Sequence, residues 1–283
     1  MSASGAGRLL DAARRRRMGI GDTPEHSRVY PAMTAALGAL LGEVGPTEWA
    51  RIAAYEEWTV QDLVAHLTAT DGLLAHQLGV PVWPPVRPED DVASRTELLL
   101  ANERARTPAH TWTAWRAQAQ ALCHWLAEHP GAEQRSVTVG PMSMPVSDMM
   151  TVRAFETWIH TGDISAALNR SMPRPPEEHL HRMADLGAHL LPVAAACHQV
   201  EHRGRSLRLV LSGPGGGTWL VPLDPRPSLR PTEEPAVELV LDVVDFCLLL
   251  GDRRPPATIQ VTLSGDAVLG HQVLDAAPSL AVR

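Results

Sequence analysis

Lysine is absent from the sequence of 283 residues, so all 25 basic side chains are arginine. This absence excludes a lysine Schiff base and a lysine general base. It also excludes a Walker-type phosphate loop, because the glycine run "GPGGGT" lacks the lysine of that motif and reads as a hairpin turn between two strands. The exclusive use of arginine is explained either by the codon bias of a high-GC genome or by bidentate binding of anions.

Cysteine and long apolar runs are also scarce. The three cysteines are too widely spaced for a disulfide framework or a Cys-rich zinc site and favour a reducing cytoplasm; they are Cys123, Cys197 and Cys247. No apolar run is long enough to span a bilayer, and none of signal-peptide length follows the arginines at 14–17. The net charge of −7 gives no nucleic-acid footprint. We therefore expect a cytoplasmic protein that binds neither membrane nor nucleic acid.

The pattern along the chain predicts a fold of the α+β class. Residues 1–25 are rich in arginine and glycine without a sustained apolar period, so we expect a flexible extension outside the fold. Residues 26–170 carry helical periods with short connections, which predict a four-helix bundle. A proline-rich linker at 171–176 then leads to a smaller α/β domain at 177–283.

Local signals place several elements within these domains. Thr59, followed three residues later by Asp62, approaches a capping box and marks a helix start in "EEWTVQDLVAHLTATDGLLAHQLG". A long helix is expected from about residue 177 to 200, with a kink at Pro192. The segments "SLRLVLS", "TWLVPL" and "ATIQVTLSG" then alternate or run apolar as strands do, with helical stretches around 243–250 and 266–276.

Three ionisable residues share the apolar stripe of one predicted helix. In "RAFETWIHTGDISAAL" the spacings of four and three place Glu156, His160 and Asp163 on one face. The same face carries apolar side chains such as Met149 and Val152, so it is the buried face. Burying three such groups without a cation or a partner is costly, which favours a metal site.

A third ligand is needed to complete a zinc site with Glu156 and His160. His66 is the best candidate, since it lies in the middle of another helix at the border of the apolar face. Two histidines and one carboxylate would leave an open position, as catalytic zinc sites do. The alternatives are a hydrogen-bonded pair of Glu156 with His160 and a core histidine at 66. Asp163 is either the partner that orients a ligating imidazole or a polar residue near a helix end.

Two segments together resemble a known family. "EEWTVQDLVAHLTATDGLL" and "VRAFETWIHTGDIS" resemble the mycothiol-dependent maleylpyruvate isomerase group of the DinB-like metalloenzymes, and the resemblance extends from about residue 28 through most of the chain. It implies a DinB-like four-helix bundle followed by a C-terminal α/β domain, with His66, Glu156 and His160 as the metal ligands. Residues 1–25 have no counterpart in the family pattern.

The resemblance also implies an arginine from the C-terminal domain in the active site. The segment "LLLGDRR" holds one residue more than the family pattern, so Arg253 is the first choice and Arg254 the second. We expect Arg253 to reach a cleft between the domains and to bind an anionic substrate or the polar parts of a thiol, with Arg226 as a third candidate. The alternative is that Arg253 and Arg254 are solvated loop charges.

The function implied is that of a zinc enzyme that uses mycothiol, a low-molecular-weight thiol, as a cosubstrate. A cation converts a coordinated thiol to a thiolate near neutral pH, and no cysteine of the chain is close to the ligands in sequence. The thiolate would isomerise or conjugate an electrophilic small molecule. The alternatives are a zinc enzyme that acts without a thiol, by hydrolysis or Lewis-acid cyclisation, and a non-catalytic ligand-binding module.

Overall fold

The computed structural model describes residues 3–53, 57–200, 204–224 and 234–281. The chain divides into two compact units, residues 1–175 and 176–283. The first unit is helical apart from one short hairpin, and the second is a small mixed sheet with helices. The α+β class predicted from the sequence is therefore confirmed. No helix in the described part of the chain is long and apolar enough to cross a membrane.

Six α-helices lie in the described part of the first unit, and a hairpin lies before the last of them. They are α1 (Ala3–Met18), α2 (Val29–Leu41), α3 (Val60–Leu78), α4 (Val92–Arg104), α5 (Pro108–Glu128), the strands β1 (Ser136–Val139) and β2 (Met142–Pro145), and α6 (Val146–Ala167). Helix α3 contacts α4, α5 and α6, while α2 packs on α6. The bundle thus consists of α2, α3, α5 and α6, with α4 against α3 and α1 against α2.

Helix α3 is the central element of this bundle. It begins with the expected capping box, in which Thr59 Oγ1 accepts from the Asp62 amide and Asp62 accepts from the Thr59 amide. It ends at Gly79, whose φ of 78° a left-handed cap requires. Because three helices surround α3, even side chains at the border of its apolar face are buried. This explains why His66 lies in the core, where the sequence placed it at a boundary.

Most of the segment expected to be a flexible extension, residues 1–25, is helical in the structure. Residues Ala3–Met18 form helix α1, which packs against α2. Met18 is 3% exposed and contacts Gly38, where the missing side chain gives it room. The sequence did not indicate this helix, because Leu9 and Leu10 are exposed while the buried side chains include the charged Asp11 as well as Met18. The backbone of its last turn also accepts hydrogen bonds from α5.

The second unit begins with a long helix and then forms a four-stranded sheet. Its elements are α7 (Glu177–Cys197), β3 (Ser206–Ser212), β4 (Gly217–Pro222), β5 (Val237–Asp242), α8 (Val243–Leu250), β6 (Thr262–Gly265) and α9 (Ala267–Ala276). The strand order is β4-β3-β5-β6, with β3 and β5 parallel and the other pairs antiparallel. Helix α7 is continuous through Pro192.

The predicted hairpin turn and strands are present, but one strand was not expected. The glycine run joins β3 to β4, and Gly213 and Gly215 both adopt a φ of 88°, which favours glycine. Strand β5, "VELVLD", is the second central strand of the sheet. Its apolar run continues directly into α8, so no break between strand and helix is visible in the sequence. Asp242 ends the strand and caps the helix by accepting from the Val244 amide.

Candidate metal site

The structure brings together the three residues that the sequence predicted as metal ligands. His66 comes from α3, and Glu156 and His160 come from successive turns of α6. One potential ligand atom from each lies within 4.8 Å of the other two. All three residues are buried, with exposures of 3%, 6% and 4%. Among the described residues, this is the one group of histidine, cysteine and carboxylate side chains close enough to hold a cation.

His66 is held from both sides of its imidazole ring. Its Nε2 lies 2.8 Å from Glu156 Oε1, and its Nδ1 lies 3.1 Å from Thr96 Oγ1 on α4. The ring of His160 approaches it edge-on, with a centroid distance of 5.2 Å. Trp58 contacts the ring as well, at 5.1 Å between centroids. The orientation of His66 is therefore fixed by its neighbours.

His160 is oriented by the next turn of its own helix. Its Nδ1 lies 2.9 Å from Asp163 Oδ2, and both side chains are buried. This contact leaves Nε2 as the nitrogen for a cation. Burial lowers the pKa of His160, so the imidazole is neutral, which is the form that ligates metals. Asp163 thus lies where the sequence predicted a residue that orients a ligating histidine.

Glu156 is supported by a buried ion-pair chain that sequence reasoning missed. Arg153, one turn earlier on α6, donates to Glu156 Oε2 and places its Nε 2.8 Å from Asp71 Oδ1 on α3. Asp71 Oδ2 in turn accepts from the Tyr30 hydroxyl of α2 at 2.7 Å. Burial would raise the pKa of Glu156, but Arg153 and then His66 outweigh it and hold that pKa well below its usual range. Glu156 is therefore an anion in the core.

The buried ion-pair network around Glu156 contains more negative than positive side chains. Asp71 and Glu156 carry two carboxylates against the single guanidinium of Arg153. Burial raises the pKa of Asp71, an effect that Arg153 opposes. The site therefore favours an additional positive charge beside Glu156 Oε1.

The donor set fits a borderline metal ion such as zinc. Two imidazoles and one carboxylate are ligands that zinc accepts, whereas calcium and magnesium prefer oxygen alone. Each donor also has a partner on its far side: Thr96 for His66, Arg153 for Glu156 and Asp163 for His160. Such partners are typical of metal centres, where they fix the ligand orientation. Three protein ligands leave room for a further ligand.

The C-terminal arginines have local partners in the second unit. Arg253 Nη1 donates to the Gly251 carbonyl at 2.7 Å, and Arg254 forms an ion pair with Asp245. Both arginines are partly exposed. Arg226, the third candidate, lies outside the described residues. The role of Arg253 in binding an anion stays a prediction.

These features define the first unit as a helical bundle whose central helices share a buried cluster of two histidines and one glutamate. Residues 30–165 match the family model described as "Mycothiol maleylpyruvate isomerase N-terminal domain". The first unit thus contains a domain of that family, as the sequence resemblance indicated. The match begins at Tyr30 and does not include α1.

The matches to similar proteins differ in length. The crystal structure of the mycothiol-dependent maleylpyruvate isomerase aligns with a TM-score of 0.54 at 16% identity, over 84% of this chain and 92% of that chain, which shows a shared fold. The uncharacterized protein Rv0036c of Mycobacterium tuberculosis is 28% identical over 240 residues, covering 81% of this chain and 86% of the relative. The uncharacterized protein Rv0738 of the same organism is 24% identical over 149 residues, covering 53% and 70%.

Proposed function

We propose that the chain is a metal-dependent enzyme that uses mycothiol, a low-molecular-weight thiol, to isomerise or conjugate an electrophilic small molecule. His66, Glu156 and His160 hold the divalent cation, with zinc as the best fit to the donors. The observation that carries the proposal is this buried cluster inside a domain of the mycothiol maleylpyruvate isomerase family. A cation bound there supplies positive charge that lowers the pKa of a coordinated thiol.

The chain's own residues hold this site rigid and dry. Thr96 and Asp163 fix the two imidazole rings, and Arg153 keeps Glu156 ionised in the core. Because each of the three proposed ligands is held by a residue outside the cluster, few side chains need to reorient when the cation and substrate bind. Trp58, in contact with the His66 ring and half-buried, is suited to form an apolar wall beside the cluster.

The reactive thiol must come from a small molecule. None of the three cysteines belongs to the His66, Glu156 and His160 cluster. Cys123 and Cys247 are buried, and burial raises the pKa of both thiols, so neither is a ready nucleophile. Cys197 is exposed on α7 in the second unit. The chain has no reactive thiol in the cluster, and a thiol cosubstrate would supply one.

Arg253 is our candidate for binding the anionic group of the substrate or of the thiol. The chain has no lysine, so an arginine must supply any strongly basic anchor. Arg254 forms an ion pair with Asp245, and Arg253 Nη1 donates to the Gly251 carbonyl. The guanidinium group can bind a carboxylate through two parallel hydrogen bonds.

Elemental analysis of protein purified without chelator tests the metal. We expect one zinc per chain in the wild type and its loss in His66→Ala. His76→Ala is the matched control, because His76 is an exposed histidine on the same helix. If the wild type contains no metal and takes up none from a zinc buffer, the proposal is wrong.

Product analysis by mass spectrometry tests the thiol. The metal-loaded protein is incubated with maleylpyruvate or chlorodinitrobenzene, with and without mycothiol. Isomer or adduct formed only with mycothiol supports the proposal. Turnover of a substrate without thiol would instead support a metal enzyme of the hydrolytic or Lewis-acid type. Tight binding of a small molecule without turnover would support a ligand-binding module.

A further inference from the structure

A pocket in the first unit, separate from the metal cluster, is lined by arginines. It has a volume of about 270 Å³ and lies where α1, α2 and α5 meet. Arg14 and Arg17 of α1, Arg116 of α5 and Trp112 of α5 line it. It shares no residue with the metal cluster or its partners. Tyr30, the partner nearest in sequence, precedes the lining residue Gly38 by eight positions on α2, or about 12 Å along the helix.

The positive charges of this pocket have no acidic partners. Within the part of the chain that the structure describes, no carboxylate forms an ion pair with Arg14, Arg17 or Arg116. Glu43 is the single acidic residue in the lining, and its carboxylate pairs with Arg170. The pocket is therefore cationic in a protein whose net charge is −7.

An aromatic ring lies in the same lining. Trp112 lines the pocket, and its ring lies next to Gly42 of α2. The indole Nε1 itself is buried away from the accessible space. The ring therefore gives the pocket an apolar surface beside the arginines, suited to the organic part of a ligand.

The end of helix α1 does not oppose an anion there. Carbonyls at a helix C-terminus carry partial negative charge. The last four carbonyls of α1 are each engaged by a donor, since Arg15 and Arg16 accept from Ile20 and Gly19, and Arg17 and Met18 accept from Arg116 and Gln120. The guanidinium groups of Arg14 and Arg17 therefore dominate the charge at this end of the helix.

We propose that this pocket binds the phosphate group of a small phosphate monoester. Three arginines offer more donors than the two oxygens of a carboxylate accept, whereas a phosphate presents three charged or polar oxygens. The volume leaves room for an organic group beside the phosphate. Because α1 lies outside the matched residues 30–165, two of the three arginines come from a segment that the family model does not include.

Isothermal titration of the full chain with inorganic phosphate and with phenyl phosphate, at constant ionic strength, tests the proposal. We expect saturable binding at one site, tighter for phenyl phosphate. The double variant Arg14→Gln/Arg17→Gln should weaken binding at least about tenfold. Trp112→Phe, which removes the buried N–H and keeps an aromatic ring, should change the affinity by less than about twofold.

Arg16→Gln is the matched control, because Arg16 lies between the two lining arginines and is exposed outside the pocket. Its affinity for phenyl phosphate should equal that of the wild type. An equal loss in Arg16→Gln and in the double variant would show diffuse attraction to the arginine run and would overturn the site. If phenyl phosphate shows no saturable binding up to about 10 mM, a concentration above the millimolar Kd expected of even a minimal site, the proposal is overturned as well. Circular dichroism of each variant shows whether α1 is retained.

Discussion

Arg153 of α6 donates its Nε–H to Asp71 of α3 across 2.8 Å, and both side chains are only 2% exposed. This ion pair joins the two helices that supply the cluster. The same guanidinium holds Glu156, so one residue compensates two buried carboxylates. The pair is therefore a structural support of the site, with no contribution of its own to the ligand set.

Replacing Arg153 should destabilise the fold. Arg153→Met leaves two buried carboxylates without their cation, which costs about 3–5 kcal/mol of the free energy of unfolding. Arg174→Met is the control, since Arg174 is exposed and its replacement should change stability by less than about 0.5 kcal/mol. Urea denaturation measures both. Adding Asp71→Asn to Arg153→Met should recover part of the loss, because it removes one unpaired charge.

Asp163→Asn should weaken metal binding without unfolding the chain. The amide replaces the carboxylate that lies 2.9 Å from His160 Nδ1, so the imidazole loses a strong acceptor. We expect metal affinity to fall by about 10 to 100-fold, measured by competition with a chromophoric chelator. Asp275→Asn, an exposed change on α9, should leave affinity unchanged. Equal affinity of Asp163→Asn and the wild type would assign Asp163 to helix packing alone.

Met18 should contribute to stability although it lies in the segment that the sequence assigned to a flexible extension. Met18→Ala removes a side chain that is 3% exposed and should cost about 2–5 kcal/mol. Leu9→Ala on the same helix is the control, because Leu9 is 62% exposed and should contribute little. Removal of residues 1–21 should lower the melting temperature markedly. Similar melting of the truncated and full-length chains would show that α1 adds nothing to the fold.

One of the three thiols should react rapidly in the native protein. Cys197 is exposed, while Cys123 and Cys247 are buried with pKa values raised by burial. A colorimetric thiol reagent should therefore titrate about one thiol before denaturation and three after it. Cys197→Ser should abolish the fast reaction and leave any thiol-dependent turnover intact. A loss of turnover in Cys197→Ser would contradict the use of an external thiol.

Arg253→Ala should raise KM or lower kcat/KM without releasing the metal. The expected loss is about 1.5–3 kcal/mol, the range for a hydrogen bond to a charged group. Arg254→Ala is compared with it, since the pairing of Arg254 with Asp245 predicts a smaller effect. Unchanged kinetics in Arg253→Ala, together with loss of turnover in Arg254→Ala or Arg226→Ala, would move the role to another arginine.

The residues of the cluster could be predicted because two of them are one turn apart on one helix. The spacing of Glu156 and His160 alone predicts that they share one helix face, and His66 is predicted from its position in the middle of a second amphipathic helix. Arg153 could not be found in this way, because an arginine three residues before a glutamate is usually an exposed helical pair. Its burial depends on Asp71 and Tyr30, contacts that only the packed bundle creates.

Helices and strands likewise differ in how well the sequence predicts them. The capping box predicts helix α3, the long helical period predicts α6, and the glycines predict the hairpin of β3 and β4. Helix α1 shows no clear apolar stripe in the sequence, because its buried side chains include the charged Asp11 as well as Met18. Strand β5 merges with α8 in a single apolar run, so its limits are set by pairing with β3 and β6.

The link between α3 and α6 through Arg153 also bears on the exchange of a metal. His66 and Glu156 are 90 residues apart in sequence, so an unfolded chain cannot present them together. In the folded chain they are held by hydrogen bonds that do not involve a cation. Such preorganisation would let the proposed cation leave and return while the bundle stays intact, and occupancy would then follow the supply of metal and not the synthesis of new protein.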